Sequence, residues 1–237
     1  MEKDLLISYA IYYKGEYAEM IKAINENRSV PYATADNAIT VFDDAYPHRL
    51  LDLKYPPLVL FYKGDLSLLK QQAIGVVGSR KPCSYALKAT EALVRNNNEE
   101  VIISGLAKGI DACAHENACK TIGVLGCGID YIYPFQNYKL FKKMEKSALI
   151  ISEYPHMCKP LAYHFPFRNR IIAALSERVY VMQSAQRSGT MTTVNECLEM
   201  GKEVRVLPYD IFDPDGVHNN RPIYEGATPI LKDEIAF

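Results

Sequence analysis

Apolar residues in this chain fall in short runs that are separated by longer amphipathic segments. From residue 73 onward six runs recur, at positions 73–77, 101–103, 121–125, 148–151, 179–182 and 204–207. Most of these runs are continuously apolar rather than alternating, which is typical of parallel strands covered on both faces. The segments between them, such as 85–95 and 192–200, are long enough for helices. The pattern predicts an α/β fold with a doubly wound, Rossmann-like, mostly parallel sheet and helices on both faces.

The first fifty residues follow a different pattern. Residues 17–24 have helical spacing and run into a polar segment, after which turn-forming residues dominate. A further apolar run at 58–62 predicts a strand ahead of the regular repeat. We expect residues 1–50 to form a small N-terminal cap and residues 51–237 to form one Rossmann-like domain.

Small and hydroxylated residues follow the predicted strands at the points where the strands end. In an open α/β sheet, ligands bind outside these carboxyl ends. The most informative loops are Gly78-Ser79-Arg80-Lys81, Ser104-Gly105 and Ser188-Gly189-Thr190. Glycine lets the backbone approach an anion, helix-start amides and hydroxyls donate to it, and arginine adds a fork that fits phosphate oxygens. Together the loops predict a phosphate-binding edge, although each one alone can also serve as a helix cap.

Composition narrows the possible partners. The chain has 237 residues and a formal net charge of −1, so binding of nucleic acid would require cations gathered locally. Its six cysteines include no C-x-x-C pair, and no apolar segment approaches the length of a membrane-spanning helix. The P-loop and dinucleotide glycine fingerprints are both missing from the sequence. We therefore expect a reduced, cytoplasmic protein with no metal, no cofactor and no membrane partner.

The most individual segment runs from Tyr163 to Ala173. An aromatic cluster that includes Phe165 leads directly into Arg168-Asn169-Arg170, which then opens an apolar helix. Arginines bind phosphates and aromatic rings stack on unpaired bases, a combination that holds single strands without recognising their sequence. The alternative is that the phenylalanines lie in the core and the arginines pair with acidic residues.

With these segments considered together, the chain resembles the DNA-processing protein A family. The matching motifs are Gly78-Ser79-Arg80, residues 104–111 with His115, Tyr133-Pro134 with Asn137, Ser152-Glu153, Phe165-Pro166 with Arg168-Asn169-Arg170, and Ser188-Gly189-Thr190. They occur in the family's order and spacing between about residue 43 and residue 227.

The resemblance implies an extended Rossmann-like domain that binds single-stranded DNA and forms a homodimer. It also implies that the protein protects incoming DNA and loads a RecA-type recombinase during natural transformation or homologous recombination. By position, the Gly78-Ser79-Arg80 loop and the Arg168-Asn169-Arg170 segment would line the DNA groove, with Ser188-Gly189-Thr190 nearby. Phe165 would stack on a base.

The chain departs from the family pattern in two respects. Some members carry a lysine just ahead of the aromatic residue, whereas here Ala162 stands close to it and the nearest lysine is Lys159. We therefore expect the basic lining of the groove to lack this lysine. We also expect neither the C-terminal winged-helix-like domain of many members nor a full N-terminal helical domain.

An enzyme is the rival hypothesis from another class. Ser188-Gly189-Thr190 followed by Glu196 loosely resembles the loop of the nucleotide phosphoribohydrolases, which cleave N-glycosidic bonds, and the same edge could hold a free nucleotide. Asp111 and His115 stand four residues apart and could form an acid–base pair, although such a pair more often orients a loop and caps a helix. We expect a DNA-binding protein without catalytic residues, and a nucleotide-binding or N-glycoside-cleaving protein is the alternative.

Overall fold

A single sheet organises the molecule. The computed structural model describes residues 2–184, 189–214 and 216–235. Within these residues nine strands form one sheet in the order β1-β2-β6-β5-β4-β3-β7-β8-β9. The strands are β1 (Ala38–Thr40), β2 (Val59–Gly64), β3 (Ala73–Gly78), β4 (Val101–Ser104), β5 (Thr121–Leu125), β6 (Leu149–Ser152), β7 (Arg178–Gln183), β8 (Glu203–Val206) and β9 (Thr228–Pro229). Strands β3 to β9 pair in parallel, whereas β1 and β2 are antiparallel additions at one side.

Helices cover both faces of this sheet. They are α1 (Lys3–Tyr12), α2 (Tyr17–Asn25), α3 (Ser84–Asn96), α4 (Ile110–Asn117), α5 (Tyr138–Ser147), α6 (His164–Leu175), α7 (Gly189–Glu199) and α8 (Asn220–Tyr224). The strands bury alternate residues on opposite faces, so that Ile103 packs in the core beneath α6 and α7 while Ile102 packs beneath α3 and α4. A third apolar cluster joins α1, α2 and α5 to β2 and β6. The predicted doubly wound α/β fold is confirmed.

The N-terminal residues contribute to the sheet as well as covering it. Strand β1 pairs with β2, with Thr40 opposite Val59, and the α1 side chains Leu6 and Tyr9 pack in the same cluster as Phe61. The division of the chain near residue 50 stays a prediction. Among the described residues, no helix is long and apolar enough to cross a membrane.

Helix α6 connects β6 to β7 and so passes across β5, β4 and β3. Its apolar second half is fully buried, and its C-terminal carbonyls are capped from outside. The Lys202 ammonium donates to the carbonyls of Ala173, Ala174 and Ser176, and Arg49 donates to that of Leu175. The helix begins at His164, so the Arg-Asn-Arg segment lies inside it rather than opening it.

Candidate nucleic-acid interface

A groove of about 700 Å³ lies outside the carboxyl end of β3, between the starts of α6 and α7. The strand order reverses at this point, because the chain proceeds from β3 through β4, β5 and β6 on one side and then returns to β7 on the other. Helices leave such a switch point in opposite directions, which opens a crevice in doubly wound sheets. A smaller recess of about 250 Å³ adjoins the groove beneath Arg80 and Phe165.

Many of the residues predicted from the strand-end loops meet in this groove. Its lining includes Gly78, Ser79, Arg80, Phe165, Arg168, Asn169, Gly189 and Thr190. Lys81 and Gly105 line the adjoining recess, together with Arg80, Phe165 and Arg168. The first turn of α7 borders the groove, and the amides of a helix's first turn have no acceptor within the helix.

The recess beside the groove is bordered by free positive charge. Arg80, Lys81 and Lys108 are exposed, and within the part of the chain that the structure describes none of them pairs with a carboxylate. Ser79 shapes the turn that presents them, since its hydroxyl accepts from the Lys81 amide at 3.1 Å. These cations are therefore available to an anionic ligand, although the chain as a whole is nearly neutral.

An aromatic pair lies inside this cationic rim. Phe165 is half-buried and its ring lies 5.4 Å from that of Tyr133, with an angle of 37° between the two planes. The Arg80 guanidinium lies 5.6 Å from the Phe165 ring centroid, within the range of a cation–π contact. Gly126 lies beneath Phe165, and a Cβ there would come within 2.9 Å of the ring. The ring is thus fixed from below and bordered by a cation.

Arg168 forms the floor of the groove rather than its rim. The side chain is buried, and its Nη1 donates to the carbonyl oxygens of Gly105, at 2.8 Å, and Val124. Burial lowers the pKa of its guanidinium, and the nearby Asp111 carboxylate opposes that change. Arg168 therefore fixes the loop after β4, and it also lines both the groove and the recess.

Arg170 lies away from the groove, in a buried ion pair. The side chain is 3% exposed, and its Nη2 donates to both carboxylate oxygens of Glu153, at 2.7 and 2.8 Å. Its Nε donates to the Tyr55 carbonyl, and its guanidinium lies 3.7 Å from the Phe167 ring centroid. The guanidinium is thus surrounded by protein. This arrangement agrees with the alternative that the arginines of this segment pair with acidic residues.

The remaining predicted residues take different places. Ser104 is fully buried and donates to the Val76 carbonyl at 2.6 Å, so it supports the loop from below. The Asn169 amide donates to the Gly189 carbonyl at 3.0 Å and joins α6 to α7 across the groove. Ser188 lies outside the residues that the structure describes.

Lys108 and Tyr133 also belong to this site, although they were not predicted from the sequence. Lys108 follows β4 within the glycine-containing loop, and Tyr133 comes from the segment after β5, yet both line the recess beside Phe165. The side chain of Asn137 connects the two loops, since its amide donates to the carbonyls of Leu106 and Ala107, both at 3.0 Å. Tyr133-Pro134 and Asn137 were noted in the sequence only as family motifs, and no local pattern showed that they would reach this loop.

Asp111 and His115 do not form a pair in this structure. Asp111 accepts hydrogen bonds from the amides of Gly105 and Ala107, at 3.1 and 3.3 Å, and so orders the loop at the groove. His115 is buried, with Nδ1 2.6 Å from the Thr121 hydroxyl, which itself donates to a backbone carbonyl. Nδ1 must therefore be the donor. Burial lowers the pKa of His115 to about 3, so the ring is neutral at physiological pH.

The comparison with protein families gives a single consistent result. The family model described as DNA recombination-mediator protein A matches residues 37–236. The DNA processing protein DprA of Bacillus subtilis is 40% identical over 208 residues, which cover 85% of this chain and 70% of that protein. The DprA of Streptococcus pneumoniae is 42% identical over 197 residues, which cover 80% of this chain and 69% of that protein.

Comparison with solved structures leads to the same family. The crystal structure of DprA from Streptococcus pneumoniae superposes with a TM-score of 0.79 and 38% identity, covering 92% of this chain and 76% of that one. DNA processing protein A from Helicobacter pylori, described for its single-stranded DNA binding mode, superposes with a TM-score of 0.76 and 34% identity, covering 82% of this chain and 91% of that one. With the family model spanning most of the sequence, the chain belongs to the DNA recombination-mediator protein A family of DNA-processing proteins.

Proposed function

We propose that this protein binds single-stranded DNA in the groove at the end of β3. One observation carries the proposal: Arg80, Lys81 and Lys108, without carboxylate partners among the described residues, surround the Phe165–Tyr133 pair. The cations would bind phosphates, and the rings would stack on an unpaired base, which a duplex keeps inside its own stack. The Helicobacter pylori relative, whose structure is described for single-stranded DNA binding, supports the same assignment.

The recess beneath Arg80 has a size and chemistry that suit one base. It is lined by Phe165, by Tyr133-Pro134 and by Lys108, together with the two arginines Arg80 and Arg168. A base inserted there would be held by stacking, with little discrimination between bases, while the flanking phosphates lie against the rim. In this proposal Arg168, Asn169 and Ser104 hold the walls in place, and Arg170 has no direct contact with DNA.

Replacement of Arg80 tests the proposal. Arg80→Ala should weaken binding of an oligothymidine and reduce the slope of log affinity against log salt by about 0.7, the amount expected for one lost phosphate contact on a single strand. Arg95→Ala is a matched control, because Arg95 is also exposed but lies on α3 and pairs with Glu91. An unchanged slope for Arg80→Ala would remove Arg80 from the DNA site.

We infer that the protein acts as a binder rather than as an enzyme. Asp111 lines the groove, but its carboxylate accepts from the amides of Gly105 and Ala107 and so orders the loop, while His115 is buried against Thr121 and lines neither the groove nor the recess. Glu196 lines neither the groove nor the recess. Incubation with nucleoside monophosphates should release no free base, and release that is lost in Glu196→Ala would establish the N-glycoside-cleaving alternative. Competition between oligothymidine and free nucleotides separates strand binding from nucleotide binding.

The partners proposed for this protein are a second copy of itself and a RecA-type recombinase. Membership of the recombination-mediator family supports both. The segment after β8 adds support for self-association, because four large apolar side chains are exposed among its described residues: Ile211, Phe212, Tyr224 and Leu231. Loading is tested by strand exchange with a RecA-type recombinase on DNA already coated by a single-strand-binding protein. The protein should shorten the lag before exchange, and an unchanged lag would refute this part of the proposal.

A further inference from the structure

A second cavity of about 680 Å³ adjoins the proposed DNA site on the side of α5. The recess and this second cavity share three lining residues, Lys108, Tyr133 and Pro134, which form the wall between them. The far side of the second cavity is lined by Phe135 and Met157. A strand that leaves the recess over Tyr133 would enter this second cavity next.

The second cavity is lined by apolar side chains that are exposed rather than packed in the core. Within the lining, Phe135 is 74% exposed, Met157 is 75% exposed and Tyr133 is 41% exposed. Tyr138, which is 44% exposed, does not line the cavity but contacts Phe135 from the start of α5. The Phe135 and Tyr138 rings lie 5.6 Å apart with an angle of 43° between their planes, so they form a second aromatic pair beside the Tyr133–Phe165 pair. Exposed apolar groups gathered in this way are typical of a binding surface.

The second pair is held in a fixed position relative to the first. Asn137 lies between Phe135 and Tyr138, and its amide donates to the carbonyls of Leu106 and Ala107 in the loop that carries Lys108. The backbone of Phe135 to Asn137 forms a short 3-10 turn that leads directly into α5. A rigid aromatic surface loses little conformational entropy when a ligand stacks on it.

The charges around the second cavity fit the same polyanion. Lys108 is exposed on the shared wall and pairs with no carboxylate among the described residues. Asp130 is the acidic residue of the lining, and its carboxylate is already engaged, 3.3 Å from His156 Nδ1 and accepting from the Met157 amide at 2.8 Å. The cavity therefore offers stacking surfaces around one free cation, which suits bases joined by a phosphate.

From these features we propose that Phe135, Tyr138 and Tyr133 form a second base-stacking subsite, here called the α5 shelf. Its ligand is the continuation of the single strand held in the groove, so the proposal rests on the proposed function. Lys108 contacts the phosphate between the two subsites. The shelf lengthens the strand that one protein molecule binds, and it should contribute only when the oligonucleotide extends beyond the first recess.

Oligonucleotide length separates the shelf from the first site. Fluorescence anisotropy is measured with oligothymidines of about four and about twelve nucleotides, lengths that span the usual site sizes for single-strand binding. Phe135→Ala should weaken binding of the longer strand about tenfold and change binding of the shorter one less than twofold. Phe42→Ala is the matched control, because Phe42 is also exposed but follows the edge strand β1 and lines neither cavity.

Two further variants distinguish stacking from other uses of the surface. Phe135→Tyr should retain the affinity for the longer strand, whereas Phe135→Leu, which is apolar but has no ring, should lose it. Equal binding by Phe135→Ala and the parent at both lengths would refute the shelf alone. A parent protein that binds neither strand would overturn the proposed function and the shelf with it. A change in molecular mass by light scattering, with DNA binding unchanged, would show instead that the surface serves self-association.

Discussion

Arg170 provides a direct test of how the Arg-Asn-Arg segment works, because its position in the sequence and its position in the structure suggest opposite roles. The sequence places it beside two groove residues, whereas the structure places it in a buried pair with Glu153. We expect Arg170→Ala to lower the stability of the protein and to leave the salt dependence of DNA binding unchanged.

The size of the expected loss of stability follows from the burial of both partners of the ion pair. Arg170 and Glu153 are 3% and 4% exposed, so the substitution leaves a carboxylate without its counter-ion in the interior. Loss of one partner of a buried pair costs about 3–5 kcal/mol of unfolding free energy. For a chain of this length, each kcal/mol shifts Tm by about 2–4 °C. The expected fall in Tm is therefore about 6–20 °C.

Thermal unfolding and salt-dependent anisotropy on the same samples separate the two roles. The double variant Arg170→Met with Glu153→Leu should recover much of the lost stability, since replacing a buried pair with apolar side chains is often neutral. Arg80→Ala should show the opposite behaviour, with a normal Tm and a reduced salt slope. A well-folded Arg170→Ala protein with normal Tm and a salt slope reduced like that of Arg80→Ala would refute this account of Arg170.

Three further predictions concern other parts of the molecule. Phe165→Ala should weaken oligothymidine binding about tenfold, which corresponds to the loss of one stacked base, whereas Phe165→Tyr should retain the affinity of the parent. Unchanged affinity in a folded Phe165→Ala protein would exclude stacking. The pKa of His115 is about 3 in the folded protein and 6.5 as the ordinary value. The neutral, buried His115 therefore contributes its full stability above pH 6.5, and this contribution declines as the pH falls toward about 3. Stability from this group should therefore fall by about 2 kcal/mol between pH 7.5 and pH 5, and urea titrations of His115→Asn should show a correspondingly smaller decline. Light scattering should give twice the chain mass of 26.8 kDa for the parent, and Phe212→Glu with Tyr224→Glu should give a monomer; a monomeric parent at micromolar concentration would refute the dimer.

The parallel part of the fold was predictable because its signal is local. The strand from Ala73 to Gly78 and the four that follow it each consist of a short run buried on both faces, and burial on both faces favours apolar residues along the run. Strand β8 differs, because it buries Val204 and Val206 but leaves Glu203 exposed and Arg205 partly exposed. Strand ends at one edge then follow from parallel pairing, which is why Gly78, Arg80 and Gly189 meet in one groove. The antiparallel strands at the edge were harder, since β1 spans only three residues.

The roles within the Arg-Asn-Arg segment were not predictable, because they depend on residues distant in sequence. Arg168 and Arg170 are two positions apart on α6 and so point in different directions around the helix. One reaches the carbonyls of Gly105 and Val124, and the other reaches Glu153, which lies 17 positions earlier in the chain. Lys108 joins the groove by the same kind of long-range packing. Charge alone does not distinguish an arginine that binds a phosphate from one that supports a wall.

The central claim is that this groove holds unpaired DNA, and a comparison of single-stranded with double-stranded ligands tests it most directly. Anisotropy is measured with a labelled oligothymidine of about 20 nucleotides and with a duplex of equal length at the same salt concentration. We expect the single strand to bind at least about tenfold more tightly than the duplex, and Phe165→Ala combined with Arg80→Ala to remove this preference. Equal or tighter binding of the duplex, or a single-strand preference that survives in the double variant, would contradict the central claim.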